Sequence, residues 1–571
     1  MANSGATVEL KRDLPTVPRV VIVGGGFAGV AVAQELEKQL PRGAADVQLI
    51  SKDNFFVFQP MLPEVAGGSI EAHHILNSLR QLCPHTTVSL GTVSSIDMDN
   101  KSLEFIHGTH EYHTTVPYDY LVLAFGSVTN FSELTGMAQH ALGLKTVGDA
   151  LYLRNHILSM LEEADVEVDP ARRREMLTFV VVGGGFSGVE TVAELNDFVR
   201  GATRFYSRIH PEDVRVVLVH AGARILPELS EELGAIAMKR LVQQDVDVRL
   251  NSMLGACTQS EAILKGGEEI ATRTLVCTIG AAANPLLATT DCPKDERGRI
   301  KVNEFLEVEG RPEVWALGDC TAVPNQATGV LAPPTAQFAQ REGKLVARNI
   351  AAAVKGQGSR ESFHHPGLGQ FVAVGRRFAV ANVLGMNVSG FLAWWLWRSV
   401  YLMKLPGLSR KVRVAIDWTL DLVFGRDIVD MQLARADRVG RQHYEPGDFV
   451  LRQGEPVGLF YVIIEGEAEV ARQLPDGTET VLAHLGTGDH FGEMALLQHR
   501  ERHSASVRAL TTLNVLTPGP GRLHRPGETL AKPAGCSRHG GSAAKVRGER
   551  PPARPLGPAA PDPRFPGWGP E

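Results

Sequence analysis

Several features that define other classes of protein are scarce or missing in this chain of 571 residues. The 6 cysteines include no C-x-x-C pair and no metal-ligand spacing, so neither a disulfide scaffold nor a metal site is expected. No apolar run reaches the roughly 18 residues of a spanning helix, and nothing predicts a signal peptide. The net charge of −6 gives no reason to expect nucleic-acid binding.

Glycine, in contrast, forms two strings of the type G-x-G-x-x-G, at residues 24–29 and 183–188. Each string lies between a β-type apolar run and a helical pattern. In such a unit the first glycine permits the turn, the second lets a pyrophosphate approach, and the third lets the helix pack on the strand. The phosphate then lies at the positive helix N-terminus. Two such units predict two bound dinucleotides, most economically a flavin and a nicotinamide.

The segment after the first glycine string has no cysteine. Flavin enzymes that reduce disulfides carry a redox cysteine pair beside the flavin, and residues 55–63 contain none. This absence disfavours a disulfide reductase. Each cysteine of the chain is predicted to be a small buried residue of a reduced, cytosolic protein.

Further motifs make the chain similar to a known family. They are residues 118–126, which read as a buried strand ending in small residues, residues 317–319 (Leu-Gly-Asp), and residues 334–340, which contain A-Q-x-A-Q. With both glycine strings, they make residues 18 to about 430 resemble the type II NADH dehydrogenases, single-chain NADH:quinone oxidoreductases. The resemblance implies a peripheral flavoprotein on the cytoplasmic face of the inner (plasma) membrane. Such an enzyme passes hydride from NADH, or NADPH, to FAD and reduces a quinone without pumping protons.

The order of these patterns predicts the fold class and the domains. We expect an α/β protein with two Rossmann-like dinucleotide-binding domains, an amphipathic membrane-docking region, a C-terminal all-β roll and a disordered tail. The second nucleotide unit should interrupt the first, because residues 312–319 read as a strand that returns to the flavin domain. The boundaries are 1–17 for an N-terminal extension, 18–145 and 297–380 for the FAD-binding domain, 146–296 for the NAD(P)H-binding domain, 381–432 for the docking region, 433–516 for the roll and 517–571 for the tail.

The fingerprints and the resemblance together assign the site residues, with no metal among their ligands. The FAD contacts are Gly24, Gly26, Phe27, Ala28, Gly29, Ser51, Lys52, Ala124, Gly126, Gly318, Asp319, Ala336 and Gln337. The NAD(P)H contacts are Gly183, Gly185, Phe186, Ser187, Gly188, Glu190, His220 and Gly280. The quinone contacts are Ala336, Gln337 and Gln340, and the catalytic residues are Glu190 and Gln337.

Three of these assignments have a simpler alternative. Asp319 matches the family's acceptor for flavin ribityl hydroxyls, and it would also suit a helix N-cap. Glu190 resembles the family's acidic residue at the nicotinamide and flavin face, although a helix dipole also favours a Glu in the first turn. Gln337 and Gln340 share one helical face, where amides can donate to and accept from a quinone or form an ordinary polar surface.

Two positions depart from the family pattern. A carboxylate normally binds the adenosine ribose at the end of the second strand of each unit, whereas Ser51-Lys52 and His220 stand there in this chain. Serine can still bind a ribose hydroxyl. Without a carboxylate at His220, nothing repels a 2′-phosphate, so the sequence predicts that NADPH is accepted as well as NADH.

Residues 386–416 are predicted to contact the membrane surface. They contain Trp394, Trp395, Trp397 and Tyr401, five basic residues and no acidic residue. This mixture suits the bilayer interface and anionic headgroups. The alternative is a homodimer surface, since buried tryptophans also anchor interfaces.

Glycine-punctuated strands in residues 433–516 resemble cyclic-nucleotide-binding β-rolls. In that family a Gly-Glu pair, here Gly492-Glu493, binds the ribose, and an arginine pairs with the cyclic phosphate. His503 occupies the arginine position, with Arg502 displaced by one, and a shift of one residue turns a strand side chain to the other face. Cyclic-nucleotide binding is therefore not expected. The proline- and glycine-rich tail is predicted to be disordered or out of frame.

Two other functions stay open at this point. One is a soluble NAD(P)H-dependent flavin reductase with a protein electron acceptor. The other is a non-enzymatic redox or cyclic-nucleotide sensor.

Overall fold

The computed structural model describes residues 8–9, 17–108, 112–129, 131, 134–279, 281–367, 369–424, 426–429, 440–444, 446–454, 461–474, 478–492 and 503–517. Gly280, Glu493 and Arg502 lie outside the described residues, and so does the tail beyond Thr517. Thr517 itself ends a strand, so the tail starts at least one residue later than predicted.

The α-helices of the described residues are numbered in chain order. They are α1 Phe27–Gln39, α2 Leu62–Ala66, α3 Leu79–Leu82, α4 Met137–His140, α5 Val147–Val166, α6 Pro170–Met176, α7 Phe186–Ala202, α8 Glu231–Gln243, α9 Ala336–Lys355, α10 Phe391–Lys404 and α11 Leu408–Val423. Short 3₁₀ turns span Gln59–Met61, Ala72–Ile75, Thr203–Phe205, Pro211–Asp213, Pro285–Thr289 and Gly318–Cys320.

A six-stranded sheet forms the first nucleotide unit. Its strands lie in the order Glu307–Val308, Arg311–Ala316, Tyr120–Leu123, Arg19–Val23, Asp46–Ser51 and Thr87–Leu90. All neighbours are parallel except the first pair. Parallel strands buried on both faces read as apolar runs, which is why residues 20–23 gave a clear signal. The strand Arg311–Ala316 pairs with Tyr120–Leu123, so the chain does return to this sheet after the second unit.

The second nucleotide unit contains a four-stranded parallel sheet. Its strands lie in the order Val246–Arg249, Arg215–Val219, Thr178–Val182 and Thr274–Cys277. A short antiparallel pair, Ser127–Thr129 with Ala281–Ala283, links the two units.

Smaller sheets complete the two nucleotide units. A four-stranded one has the order Val8–Glu9, Tyr112–Pro117, Ser102–His107 and Thr92–Asp97. A three-stranded one consists of Leu254–Cys257, Glu261–Leu264 and Glu269–Ala271. The remaining pairs are Phe55–Val57 with Leu76–Ser78 and Ile300–Lys301 with Thr321–Ala322.

The region predicted to contact the membrane is a strand followed by two helices. The strand Met386–Gly390 closes a three-stranded antiparallel sheet with Gly369–Ala373 and Ala379–Val383, and α10 and α11 follow it. None of the helices in the described part of the chain combines the length and the hydropathy that crossing a bilayer requires.

The prediction that all three clustered tryptophans are interfacial was wrong for two of them. Trp394 and Trp397 are buried, and Trp397 packs on Tyr401 with ring centroids 4.9 Å apart. Trp395 is exposed. Residues 394, 397 and 401 repeat at helical spacing, so they share the face of α10 that packs on the protein, while residue 395 lies outside it.

A β-roll follows, made of two four-stranded antiparallel sheets. One has the order Gly440–Tyr444, Leu513–Thr517, Tyr461–Glu465 and His490–Phe491. The other has the order Phe449–Leu451, Ser506–Ala509, Ala468–Gln473 and Glu479–Leu485. The roll has its own apolar core, in which the rings of Tyr461 and Phe491 stack at 5.0 Å.

Candidate active site

The first glycine turn leaves the N-terminus of α1 open. Gly24 has a φ of 113°, which only glycine adopts without strain, and its N–H donates to the Ile50 carbonyl at 2.9 Å. Gly26 is the N-cap of α1, no side chain among the described residues caps it, and a Cβ there would meet no atom within 4 Å. A Cβ on Gly29 would instead collide with the Gly24 carbonyl. Free amides that face open space fit a pyrophosphate, so this turn fits FAD.

The second glycine turn has the same construction. Gly183 has a φ of 119°, and Gly185 is the N-cap of α7, again without a side-chain cap in the described structure. The nearest atom to a Cβ on Gly185 would be Oε1 of Glu228, at 3.5 Å. A Cβ on Gly188 would collide with the Gly183 carbonyl, so close helix–strand packing requires glycine there. This turn fits the pyrophosphate of the nicotinamide nucleotide, and Glu228 is a neighbouring carboxylate that the sequence did not reveal.

The residues after each turn differ in environment. Phe27 is buried and packs edge-on against Phe56 at 4.8 Å. In the second turn, Phe186 is partly buried and Ser187 is exposed. The side chain of Phe27 therefore supports the turn from inside the protein, and Ser187 faces outward where a ligand has access.

Gly318 joins three predicted motifs. A Cβ on Gly318 would lie 3.4 Å from Ala28 in α1 and 3.9 Å from Ala339 in α9. The Gly318 N–H donates to the Glu342 carboxyl group at 2.8 Å. The first glycine turn, the Leu-Gly-Asp motif and the A-Q-x-A-Q helix therefore meet at one point, although they are far apart in sequence.

Asp319 lies beside this junction with its carboxylate facing other polar groups. Ser127 donates its hydroxyl to Asp319 at 2.9 Å, and Lys145 lies 3.6 Å away. The alternative role of helix N-cap is wrong, because the 3₁₀ turn Gly318–Cys320 has Leu317 at its N-cap position. A carboxylate between a hydroxyl and an ammonium group suits the recognition of ligand hydroxyls.

The remaining flavin positions line the same edge of the sheet. Ser51 ends its strand with its hydroxyl against Gly25, whereas Lys52 is exposed. Ala124 is buried with its carbonyl against Gly24, and Gly126 has a φ of 66° with open space around its Cβ position.

His220 lies against the second glycine turn. Its Nδ1 accepts a hydrogen bond from the Gly184 N–H at 3.1 Å, and a Cβ on Gly184 would be 2.6 Å from the imidazole. The imidazole therefore occupies the end of the second strand, as predicted from the sequence. Gly280, assigned to the same nucleotide, lies outside the described residues.

Gln337 and Gln340 lie in the first turns of α9, which begins at Ala336. All three residues are partly buried. The Gln337 side-chain nitrogen lies 3.2 Å from Nε2 of His365, a buried residue that the sequence did not single out.

Glu190 is buried in α7, and its carboxyl group accepts the Ala373 N–H at 3.2 Å. Burial raises the pKa of Glu190 to about 8, and the neighbouring Glu194 adds to the rise. The helix-dipole alternative is wrong, because α7 begins at Phe186 and its first turn contains no acid. Two residues that are eight positions apart in the chain contact the two predicted catalytic residues. His365 contacts Gln337, and Ala373 contacts Glu190.

A cluster of buried charges beside Glu190 was missed by the sequence reasoning. Burial raises the pKa of Glu64 to about 8, and its carboxyl group accepts the Trp418 indole N–H at 2.9 Å. Glu194 forms a 2.7 Å ion pair with Arg426. Arg398 lies over the Trp418 ring, 4.6 Å from its centroid. These partners come from segments far apart in the chain, so no local spacing could reveal them.

Glu342 was missed for a similar reason. It is buried, and burial raises its pKa to about 7, with the Asp319 carboxylate as a smaller cause. It lies two residues after Gln340 in α9, and its carboxyl group accepts the Gly318 N–H inside the protein.

The described cysteines do not form a redox pair. Cys83, Cys257, Cys277, Cys292 and Cys320 are buried free thiols. No group of metal-ligating side chains is present among the described residues.

Comparison with protein families finds three matches along the chain. Residues 18–343 match the pyridine nucleotide-disulphide oxidoreductase family, residues 368–427 match the NDH2 C-terminal domain, and residues 441–519 match the cyclic nucleotide-binding domain.

Individual relatives agree with these matches. The type II NADH:quinone oxidoreductase NdhA of Mycobacterium tuberculosis is 34% identical, over 71% of this chain and 87% of its own length. The internal alternative NAD(P)H-ubiquinone oxidoreductase A1 of Arabidopsis thaliana is 30% identical, over 72% of this chain and 85% of its own. The structure of NDH2 from Plasmodium falciparum with NADH has a TM-score of 0.67 at 20% identity, covering 72% of this chain and 99% of that one, and so supports the fold.

The glycine turns and the junction at Gly318 lie within the matched residues 18–343, and α10 and α11 lie within the matched residues 368–427. The cofactors of this family are FAD and NADH. The chain belongs to the type II NADH:quinone oxidoreductases, enzymes within the pyridine nucleotide-disulphide oxidoreductase family, and it carries a cyclic nucleotide-binding domain after the NDH2 C-terminal domain.

Proposed function

We propose that this protein is a peripheral membrane dehydrogenase that reduces its quinone at the N-terminal end of α9, beside Gln337 and Gln340. The observation that carries the proposal is the junction at Gly318. It packs the phosphate-binding end of α1 against the helix that bears both glutamines. A quinone at Gln337 would therefore lie next to the flavin-binding edge of the sheet.

FAD, when bound, accepts hydride from the nicotinamide and passes two electrons to the quinone. The protein's own groups would bind and orient the reactants. The amides at the start of α1 and α7 would hold the two pyrophosphates. Asp319 and Ser127 would receive the ribityl hydroxyls, since one is an acceptor and the other can donate and accept.

Glu190 would hold a proton close to the reacting groups. Its carboxyl group is buried with a pKa of about 8, so it is largely protonated at neutral pH. A protonated carboxyl group can donate a hydrogen bond or a proton, which an ionised one cannot. Quinone reduction consumes protons, and a buried protonated group shortens their path from solvent.

NADPH would be accepted beside NADH. The end of the strand Arg215–Val219 carries His220 instead of a carboxylate, so no negative charge at this position opposes a 2′-phosphate. Nδ1 of His220 accepts the Gly184 N–H, and Nε2 lies against Gly222, so the imidazole is held beside the glycine turn.

The outer faces of α10 and α11 would contact lipid. A stripe along α11 is exposed and apolar, consisting of Leu408, Val412, Ile416, Leu420 and Val423. Residues three or four apart lie on one side of a helix, so these side chains form a continuous face. With the basic residues between Lys404 and Arg413, this face suits anionic lipid. We place it on the cytoplasmic face of the inner membrane, where NADH is supplied; a homodimer contact is the competing use of the same face.

The test is stopped-flow kinetics on the Gln337→Leu variant. Its quinone half-reaction should slow by tenfold or more, while flavin reduction by NADH should keep the wild-type rate. The exposed Gln139→Leu variant is the matched control. Equal damage to both half-reactions would remove the quinone assignment, and unimpaired transfer to a ferredoxin-type acceptor alone would favour a soluble reductase.

A further inference from the structure

His365 contacts the start of α9 in two ways, through the packing of its ring and through the ring nitrogen Nε2. The ring packs on Phe338 with centroids 5.1 Å apart. Its Nε2 lies 3.2 Å from the side-chain nitrogen of Gln337, the residue before Phe338. His365 is 7% exposed, so this contact is shielded from solvent.

The backbone of His365 is fixed by a second buried residue. Asn325 donates its side-chain amide to the His365 carbonyl at 2.7 Å and accepts the His365 N–H at 3.1 Å. Asn325 is itself buried, and its Oδ1 also accepts the Ala327 N–H. A histidine bonded on both sides of its backbone, with its ring on Phe338, cannot follow a movement of Gln337. The Gln337 amide must instead adapt to the imidazole.

The imidazole has two ways to satisfy that amide. When Nε2 carries no proton it accepts from the Gln337 NH₂ group, and the Gln337 carbonyl oxygen then faces away from His365. When Nε2 carries the proton it donates to that oxygen, and the NH₂ group faces away. A quinone carbonyl can only accept a hydrogen bond. The second arrangement leaves both N–H groups of the amide free to donate to it, whereas the first commits one of them to His365.

We propose, on the basis of the proposed role of Gln337, that His365 is a positioning residue which sets the end of the Gln337 amide that faces the quinone. Quinone binding selects the arrangement in which His365 Nε2–H donates to Gln337. After reduction the product hydroxyls can donate as well as accept, so the opposite arrangement, which presents the Gln337 carbonyl oxygen, also offers the ligand a partner. His365 thereby contributes to quinone affinity without touching the quinone.

Charges around the imidazole favour its neutral form, in which both arrangements are available. Burial lowers the pKa of His365, and the positive charge of Arg341 and the neighbouring His364 lower it further. Arg341 is held in place by its bond to the Gln337 carbonyl at 3.1 Å.

The experiment is a double-mutant cycle of His365→Phe and Gln337→Leu in the full-length holoenzyme. Phenylalanine keeps a ring against Phe338 and removes both nitrogens. We expect His365→Phe to raise the KM for ubiquinone-1 about tenfold, with flavin reduction by NADH unchanged. In the Gln337→Leu background the same substitution should change the KM by less than twofold, because coupled residues are not additive.

Two further variants separate positioning from packing. His365→Gln can donate and accept near the position of Nε2, so it should restore most of the affinity. His364→Phe alters the exposed neighbouring histidine and should leave the KM for ubiquinone-1 unchanged. Binding of ubiquinone-1, followed by quenching of the bound-flavin fluorescence, should change in parallel with KM. Melting temperatures identify any variant that has lost its fold.

Each outcome decides the proposal. A wild-type KM in His365→Phe overturns it, as do additive effects in the cycle or equal losses in His365→Phe and His365→Gln. If His365→Phe does not fold, His365→Gln is combined with Gln337→Leu instead. The quinone affinity that the glutamine at position 365 restores must then depend on the presence of Gln337. A Gln337→Leu variant with normal quinone turnover would instead reject the proposed function itself.

Discussion

The indole N–H of Trp418 donates a 2.9 Å hydrogen bond to the side chain of Glu64. Trp418 belongs to α11 and Glu64 to α2, so this bond fixes the helix with the exposed apolar stripe to the flavin-binding unit. The other carboxyl oxygen of Glu64 is buried without a hydrogen-bond partner among the described residues. The hydrogen bonding of the Glu64 carboxyl group therefore depends on Trp418, and the buried charges around Glu64 are sensitive to the position of α11.

Trp418→Phe should destabilise the protein, because it keeps an aromatic ring and removes the only described donor to the Glu64 carboxyl group. Leaving a buried acceptor unsatisfied costs about 1 to 3 kcal/mol. The melting temperature should fall by several degrees at pH 7. Trp395→Phe is the control, since Trp395 is exposed on the outer face of α10. Equal melting temperatures for the two variants would mean that the bond contributes nothing measurable.

Val412→Glu combined with Ile416→Glu should release the protein from membranes. Both side chains are about half exposed on the apolar stripe, at 50% and 51%. Two carboxylates there would have to enter the interface and would also be repelled by anionic lipid. Flotation with vesicles containing phosphatidylglycerol measures the bound fraction.

The control pair for this experiment is Val166→Glu with Val168→Glu, two exposed valines at the end of α5 and just beyond it. It should leave binding unchanged. Retention of the α11 variant on vesicles would reject the lipid contact, and a change from dimer to monomer in sedimentation would assign the stripe to a homodimer.

The glycine turns were predictable because each is complete within six residues, with its strand and helix on either side. Glu64 and Trp418 meet across 354 residues, and nothing local to either residue indicates the other. The interfacial prediction for Trp394 failed because it counted residue types. Helical periodicity places Trp394 and Trp397 on one face and Trp395 on another, so that signal was present but unused.

The stability of the Glu190→Gln variant relative to wild type should increase as pH rises. The folded-state pKa of Glu190 is about 8 against an ordinary value of 4.5. Between these values the unfolded chain releases a proton that the folded protein keeps, so wild type loses stability as pH rises, by at most about 1.4 kcal/mol per unit. Glutamine does not titrate.

The measurement is the difference in melting temperature between Glu190→Gln and wild type from pH 5 to pH 9. The difference should grow up to about pH 8 and then level off. Glu163→Gln, at an exposed position of α5, should show no such trend. A difference independent of pH would show that Glu190 ionises normally in the folded protein.

His220→Glu should shift cofactor preference toward NADH. A carboxylate at the end of this strand accepts ribose hydroxyls and repels a 2′-phosphate, an effect of about 1 to 3 kcal/mol. His220→Gln is the control, because it can still accept the Gly184 N–H but adds no charge. The ratio of kcat/KM for NADH to that for NADPH should rise in the first variant and stay near wild type in the second. An unchanged ratio in both would mean that residue 220 does not face the ribose.

The β-roll should not bind cyclic AMP or cyclic GMP with micromolar affinity. Cyclic-nucleotide recognition needs a cation that forms two parallel hydrogen bonds to the phosphate, and His503 replaces the arginine expected before the strand Ser506–Ala509. His503 is buried, and its carbonyl accepts the Gly454 N–H at 2.9 Å, which holds this part of the chain inside the roll. Gly492 could still approach a ribose, but the phosphate would lose its hydration without a matched partner.

Calorimetry on the full-length protein tests whether cyclic nucleotides bind, with adenosine as the control ligand because it offers a ribose without the phosphate. Cyclic AMP binding worth about 8 kcal/mol, which corresponds to micromolar affinity, and tighter than adenosine, would contradict the prediction and make the roll a regulatory domain.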